Sequence, residues 1–146
     1  NRNRAAADVR VAFTRNGGNL GETGCVGWMF ERKGTLTIDA AGQDADAIAL
    51  AAIDAGAEDV TVDGDIVEVY ATIEDFQSVR ERLAAERFKV DDAALNWVPK
   101  TLFQPEHKIT IQNMRLIEAL EELDDVQSVH SNLDISEAAL AEFEAA

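Results

Sequence analysis

The pair Asp63-Gly64 stands between two short apolar runs, Val60-Thr61-Val62 and Ile66-Val67-Glu68-Val69-Tyr70, and no other local signal restricts the fold as much. Asp-Gly supplies the positive φ angles of a tight turn whose twist matches that of the flanking strands, so a β-hairpin is expected here. A helix at about 45–55 precedes it, with Ile48, Ala52 and Ile53 on one stripe and Gly56 as its stop. A second helix at about 74–86 follows, with Phe76, Val79 and Leu83 at spacings of three and four, and a strand at 92–98 is closed by Pro99. The order is helix, strand, strand, helix, strand.

The flanks repeat that order once residues 41–105 are set aside. Ala5 to Phe13 reads as a helix within residues 2–15, through Ala6, Val9 and Phe13, and Asn16-Gly17-Gly18 ends it. Val26, Trp28 and Phe30 alternate, Lys33-Gly34 predicts a turn, and Thr35-Leu36-Thr37-Ile38 alternates again, which gives a hairpin of strands 26–31 and 34–39. A helix at 110–123 carries Leu116, Ile117, Leu120 and Leu123, and a strand at 126–133 follows. Ser136-Glu137 opens a terminal helix with Ser136 as its cap, although Ala139 leaves the full capping box unmade. A hairpin, a helix and a returning strand make the split β-α-β arrangement of ferredoxin-like sheets. The expected fold is α+β: two small ferredoxin-like α/β sandwich domains, residues 1–40 with 106–146 forming a discontinuous domain and 41–105 inserted into it. One continuous sheet with helices on one side fits the periodicity equally well.

At 146 residues and 47% hydrophobic content the chain can fill a core. Its net charge of −15 is uneven: through Lys33 there are six basic residues against three acidic ones, a net of +3, which leaves −18 for the remainder. Sequence-independent affinity for phosphates comes from Lys and Arg, so general coating of nucleic acid is excluded and any such contact is local to the basic end. No apolar run approaches the roughly 20 residues that span a bilayer, and the polar N-terminus has no signal-peptide core. A start at Asn1 rather than at a methionine gives the expectation of a fragment. Cys25 is the single cysteine, which allows neither an intramolecular disulfide nor a cysteine zinc cluster and fits a reducing compartment. Within an apolar strand it is expected to be a buried, inert thiol.

No catalytic constellation emerges. His107 and His130 lack a matched nucleophile, and HExxH, Gly-x-Ser-x-Gly and P-loop patterns are missing, so the expectation is no enzyme, no metal and no cofactor. Asp124-Asp125 suits a turn, and Asp59, Asp63 and Asp65 lack the ligand series of a calcium loop. Gly18-Asn19-Leu20-Gly21 matches the Gly-x-x-Gly loop that clamps RNA backbone in KH domains, but a strand follows it here instead of a helix. Its glycines are read as permitting positive φ, with backbone N–H groups suited to an anion. Trp28 and Phe30 could mimic the stacking aromatics of an RNA-binding sheet, but the companion motif is missing and their alternation predicts packing under helices.

Six segments together resemble the YebC/PmpR family, which includes the mitochondrial translational activator of cytochrome oxidase. They are Asn1-Arg2-Asn3-Arg4, Val9-Arg10-x-x-Phe13, Gly17-Gly18-Asn19-Leu20-Gly21, Phe30-x-x-Lys33-Gly34, Ala55-Gly56-Ala57-Glu58-Asp59-Val60 and Leu120-Glu121-x-x-Asp124-Asp125-Val126-Gln127. The resemblance implies a three-domain protein whose small basic helical first domain is missing from this chain and whose third domain is inserted in the second. It implies a gene-expression regulator without enzymatic activity: a ribosome-associated translation factor that relieves stalling at stretches such as consecutive prolines or, as the alternative, a DNA-binding transcriptional regulator. The implied partners are the ribosome, through rRNA or tRNA, or DNA, with no membrane, and the implied location is the bacterial cytoplasm or the mitochondrial matrix. The motifs carry over onto Arg2, Asn3, Arg4, Arg15, Gly17, Gly18, Asn19, Gly21 and Lys33 as nucleic-acid contacts, and Arg10, Asn16 and Arg32 complete the candidate set. Two departures stand out: Glu86-Arg87-Phe88 has no glycine after the helix, and Leu102-Phe103 is more apolar than a typical linker. A ligand-binding ferredoxin-like module is the remaining class, for which the sequence offers no convergent polar pocket.

Overall fold

The computed structural model describes residues 2–145; Asn1 of the opening motif lies outside them. The elements are α1 (Arg2–Arg15), β1 (Phe30–Asp39), α2 (Ala45–Asp54), β2 (Asp59–Asp63), β3 (Ile66–Ala71), α3 (Ile73–Ala85), β4 (Lys89–Pro99), α4 (His107–Glu121) and α5 (Glu137–Ala145). They fall into two compact units, an inner one of Glu31–Val98 and an outer one made of the described residues up to Phe30 and from Pro99 onward.

The inner unit runs β-α-β-β-α-β and its sheet has the order β2-β3-β1-β4, the arrangement of a ferredoxin-like fold. β1 and β3 are antiparallel, with Gly34 opposite Ala71 and Asp39 opposite Ile66, and β2 pairs with β3 in the expected hairpin. Its two-residue turn is Gly64-Asp65, one residue later than expected, because Asp63 is still paired with Ile66 and Gly64 takes the positive φ. Alternate side chains of β1 and β3 (Leu36, Ile38, Val67, Val69) are fully buried against Ile48 and Ala52 of α2 and Val79 and Leu83 of α3. Burying each of the larger of these side chains is worth about 1.5–3 kcal/mol. Both helices start on side-chain caps: Asp44 accepts from the Asp46 N–H at 3.0 Å and Thr72 from the Asp75 N–H at 3.2 Å. The opposite face of the sheet is polar. Asn96 donates to the Thr35 hydroxyl at 2.6 Å, and the Thr37 hydroxyl donates to Glu68 at 3.2 Å.

The expected hairpin of 26–31 with 34–39 does not form. β1 runs unbroken through Lys33-Gly34, and Gly34 is buried beneath Phe76 of α3, so this glycine serves a close approach and not a turn. Gly27–Met29 instead make a short 3₁₀ turn that leaves Trp28 71% exposed, not packed under helices, and Cys25 is exposed as well. Because β1 is an inner strand of the sheet, the division between the units lies at 30/31 and 98/99, where the sequence reading set it at 40/41 and 105/106.

The outer unit is helical. Val9, Ala12 and Phe13 of α1 pack on Leu116 and Leu120 of α4, while Ile111 and Met114 on another side of α4 pack with Ala139 and Phe143 of α5. The Ser136 hydroxyl accepts from the Ala139 N–H at 3.1 Å, the cap expected for α5. The strand expected at 126–133 is reduced to one parallel bridge between Phe103 and Leu133, so the apolar Phe103 pairs its backbone where a linker was anticipated. Among the described residues the outer unit therefore has no sheet of its own to match that of the inner unit.

Candidate nucleic-acid interface

α1 ends as its sequence dictates. Gly17 takes φ +79°, its N–H donates to the Thr14 carbonyl at 3.3 Å, and the Gly18 N–H reaches back to Phe13 at 2.8 Å, the paired bonds of a Schellman motif. Asn16 also donates from its side chain to the Ala12 carbonyl at 2.8 Å. The loop is seated on α4: a Cβ at Gly17 would run into the Gln112 amide, and one at Gly18 would lie 3.5 Å from Leu116. Gly21 faces Cys25, whose sulfur would stand 2.6 Å from an added Cβ, while Asn19 and Gly21 themselves are exposed. Gly17 and Gly18 let the loop lie against the helix, and only Gly17 among Gly17, Gly18 and Gly21 uses positive φ.

The arginines of α1 do not share one stripe. Arg4 and Arg15 are eleven residues apart, about three turns, and so lie on one side, while Arg10 points roughly a third of a turn away. Arg4 lines a cleft of about 420 Å³ together with Asp8, Glu122, Asp124 and Asp125, so its charge faces carboxylates. Arg2, Asn3, Arg10 and Arg15 are exposed.

Sequence reading does not find the residue under this loop, Gln112, or the two cations that flank it on α4. Lys108, Gln112 and Arg115 are exposed at i, i+4 and i+7 on α4, and the first and last of them flank the glutamine that supports Gly17. They border a second cavity of about 530 Å³ with His107 and Glu142, which lie 3.3 Å apart. Their spacing alone carries no signal, because their relation to Gly17 arises only when Gln112 packs against it.

Arg32 and Lys33 belong to the inner unit, apart from the other ten candidates. Lys33 is partly buried and bonded to Glu58 at 3.1 Å, with Glu31 at 3.6 Å. The Glu58 hydrogen bond holds its ammonium above the usual lysine range, against an opposing effect of burial. The Arg32 guanidinium lies 5.3 Å from the centre of the Trp97 ring, a cation–π contact. Both cations therefore have partners within their own unit, whereas the outer unit offers guanidinium and ammonium groups beside a backbone loop, a combination that grips phosphates.

A family described as the TACO1/YebC second and third domain matches residues 1–133. The chain belongs to the TACO1/YebC family. Among its TACO1/YebC relatives, a protein of Roseiflexus castenholzii is 48% identical over 145 residues, covering 98% of this chain and 57% of the relative. One of Dehalococcoides mccartyi is 44% identical over 134 residues, covering 92% of this chain and 53% of the relative. Both carry the name probable transcriptional regulatory protein. The crystal structure of a conserved hypothetical protein from Aquifex aeolicus superposes with a TM-score of 0.84 at 37% identity, over 94% of this chain and 57% of that one. The chain thus spans a little over half the length of these relatives. Among its described residues no helix is long and apolar enough to cross a membrane.

Proposed function

We propose that this chain acts without catalysis as the RNA-contacting part of a ribosome-associated translation factor, one that relieves stalling. The observation that carries the reading is the glycine loop seated on Gln112, with Arg15 leading into it and Lys108 and Arg115 flanking that glutamine along α4. Backbone amides and cations gathered on one surface suit phosphates without reading sequence, as a factor docking on rRNA or tRNA requires. The rest of the chain is strongly acidic, which confines contact with a large RNA surface to this region.

The names of the relatives favour a second reading, a DNA-binding transcriptional regulator in a bacterial cell. That reading needs side chains presented to base edges in a groove, and the divergence of Arg10 from Arg15 along α1 suits phosphate contact better. Co-sedimentation of the chain with ribosomes over a salt series, with promoter-sized duplex DNA as competitor, separates the two. The translation reading expects salt-sensitive association that survives the DNA. Transfer of the chain to the duplex would establish the transcriptional reading in its place.

A further inference from the structure

We infer that the side of α4 turned away from the glycine loop is a docking groove for a cationic amphipathic helix of a protein partner. Between α4 and α5 lies an open groove of about 450 Å³, walled by Ile117, Leu140 and Phe143 and edged by Glu118, Glu121 and Glu144. Leu140 is 44% exposed, and Ile135 at the same groove is exposed too, so the apolar floor is presented to the surface and not consumed by the packing of α5 on Ile111 and Met114.

The chemistry of the occupant follows from the charge pattern. Every charged residue lining the groove is a glutamate, Glu122 being the fourth, while Arg115 lines the neighbouring cavity with Glu118 and Phe143, and Lys108 lies farther along α4. An apolar trough with an acidic rim complements a helix that carries leucine-like anchors at i, i+3, i+4 and i+7 and Lys or Arg on its flanks. The rim repels nucleic acid and acidic peptides alike. The groove also uses α5, which follows the segment matched by the family description.

The test is fluorescence anisotropy of a labelled Leu/Lys amphipathic helical peptide titrated with the chain. A scrambled peptide of equal composition and a Leu/Glu peptide of the same pattern serve as comparisons. Saturable binding of the Leu/Lys peptide is expected, at least about tenfold tighter than either comparison. Leu140→Glu should weaken it by about tenfold or more, the loss typical of a buried anchor. Glu118→Lys with Glu121→Lys, two exposed positions that leave the core untouched, should do the same and remove the salt dependence. Equal binding of the scrambled peptide would reduce the effect to bulk charge and overturn the proposal. So would concentration-dependent dimerisation that Leu140→Glu abolishes, since the occupant would then be a second copy of the chain.

Discussion

Gly34 of β1 and Phe76 of α3 are in such close contact that a Cβ built at position 34 would lie 2.7 Å from the Phe76 Cβ and closer still to the ring. Phe76 thereby reaches the backbone of an inner strand, and residue 34 has no freedom to carry a side chain. Gly34→Ala is expected to lower stability by about 1–3 kcal/mol, the usual cost of overpacking a filled core, measured by urea denaturation. In a double-mutant cycle with Phe76→Leu, the double variant should be less destabilised than the sum of the singles. Strict additivity would show that the two residues do not share this space.

Arg87 holds the position that follows α3, at φ +66°, with its N–H bonded to Ala84 at 2.9 Å and the Phe88 N–H to Leu83 at 3.4 Å. These are the bonds of a helix end that glycine normally makes, and an arginine makes them at a steric cost. Arg87→Gly is expected to raise stability by about 1 kcal/mol, less the greater freedom glycine has when unfolded. A fall in the denaturation midpoint would mean that the arginine side chain contributes more than its backbone strain costs.

Glu68 sits on the polar face of the sheet, where burial, and to a lesser degree the charge of Asp92, pushes its carboxyl above the usual glutamate range, opposed by the Thr37 hydrogen bond. Between the unfolded and folded pKa the folded chain binds more protons, so this group's contribution falls as pH rises through that window. Glu68→Gln should therefore stabilise the chain relative to wild type at neutral pH. The difference should vanish once the pH drops below the ordinary carboxylate range. Thermal melts of both proteins across pH 3–8 measure it, and a gain that persists at the acid end would assign the effect to packing instead of charge.

What could be read from the sequence was what local chemistry decides. Gly64 closes a hairpin whatever surrounds it, Gly17 ends a helix by positive φ, and Ser136 caps α5. Gly34 was misread because a glycine after a lysine looks the same in a turn as in a strand; only the arrival of Phe76 from a distant helix decides between them. That single residue moved β1 from one unit to the other and with it the expected second sheet. At the candidate interface the α1 arginines and the loop were legible as a run of motifs. Lys108 and Arg115 were not, because their relation to Gly17 exists only once Gln112 is packed against it.

The glycine loop with its flanking cations is the centre of the functional account, and the salt dependence of RNA binding tests it most directly. Affinity of the chain for an rRNA hairpin would be followed over rising salt for wild type, for Arg15→Glu with Arg115→Glu, and for Lys33→Ala. Each lost phosphate contact should lower the log–log slope by about 0.7–0.9. The double variant is expected to lose roughly twice that and at least about tenfold in affinity. Lys33→Ala should stay close to wild type, because Glu58 and Glu31 already engage that charge. An unchanged slope in the double variant, or a larger loss at Lys33, would contradict the account.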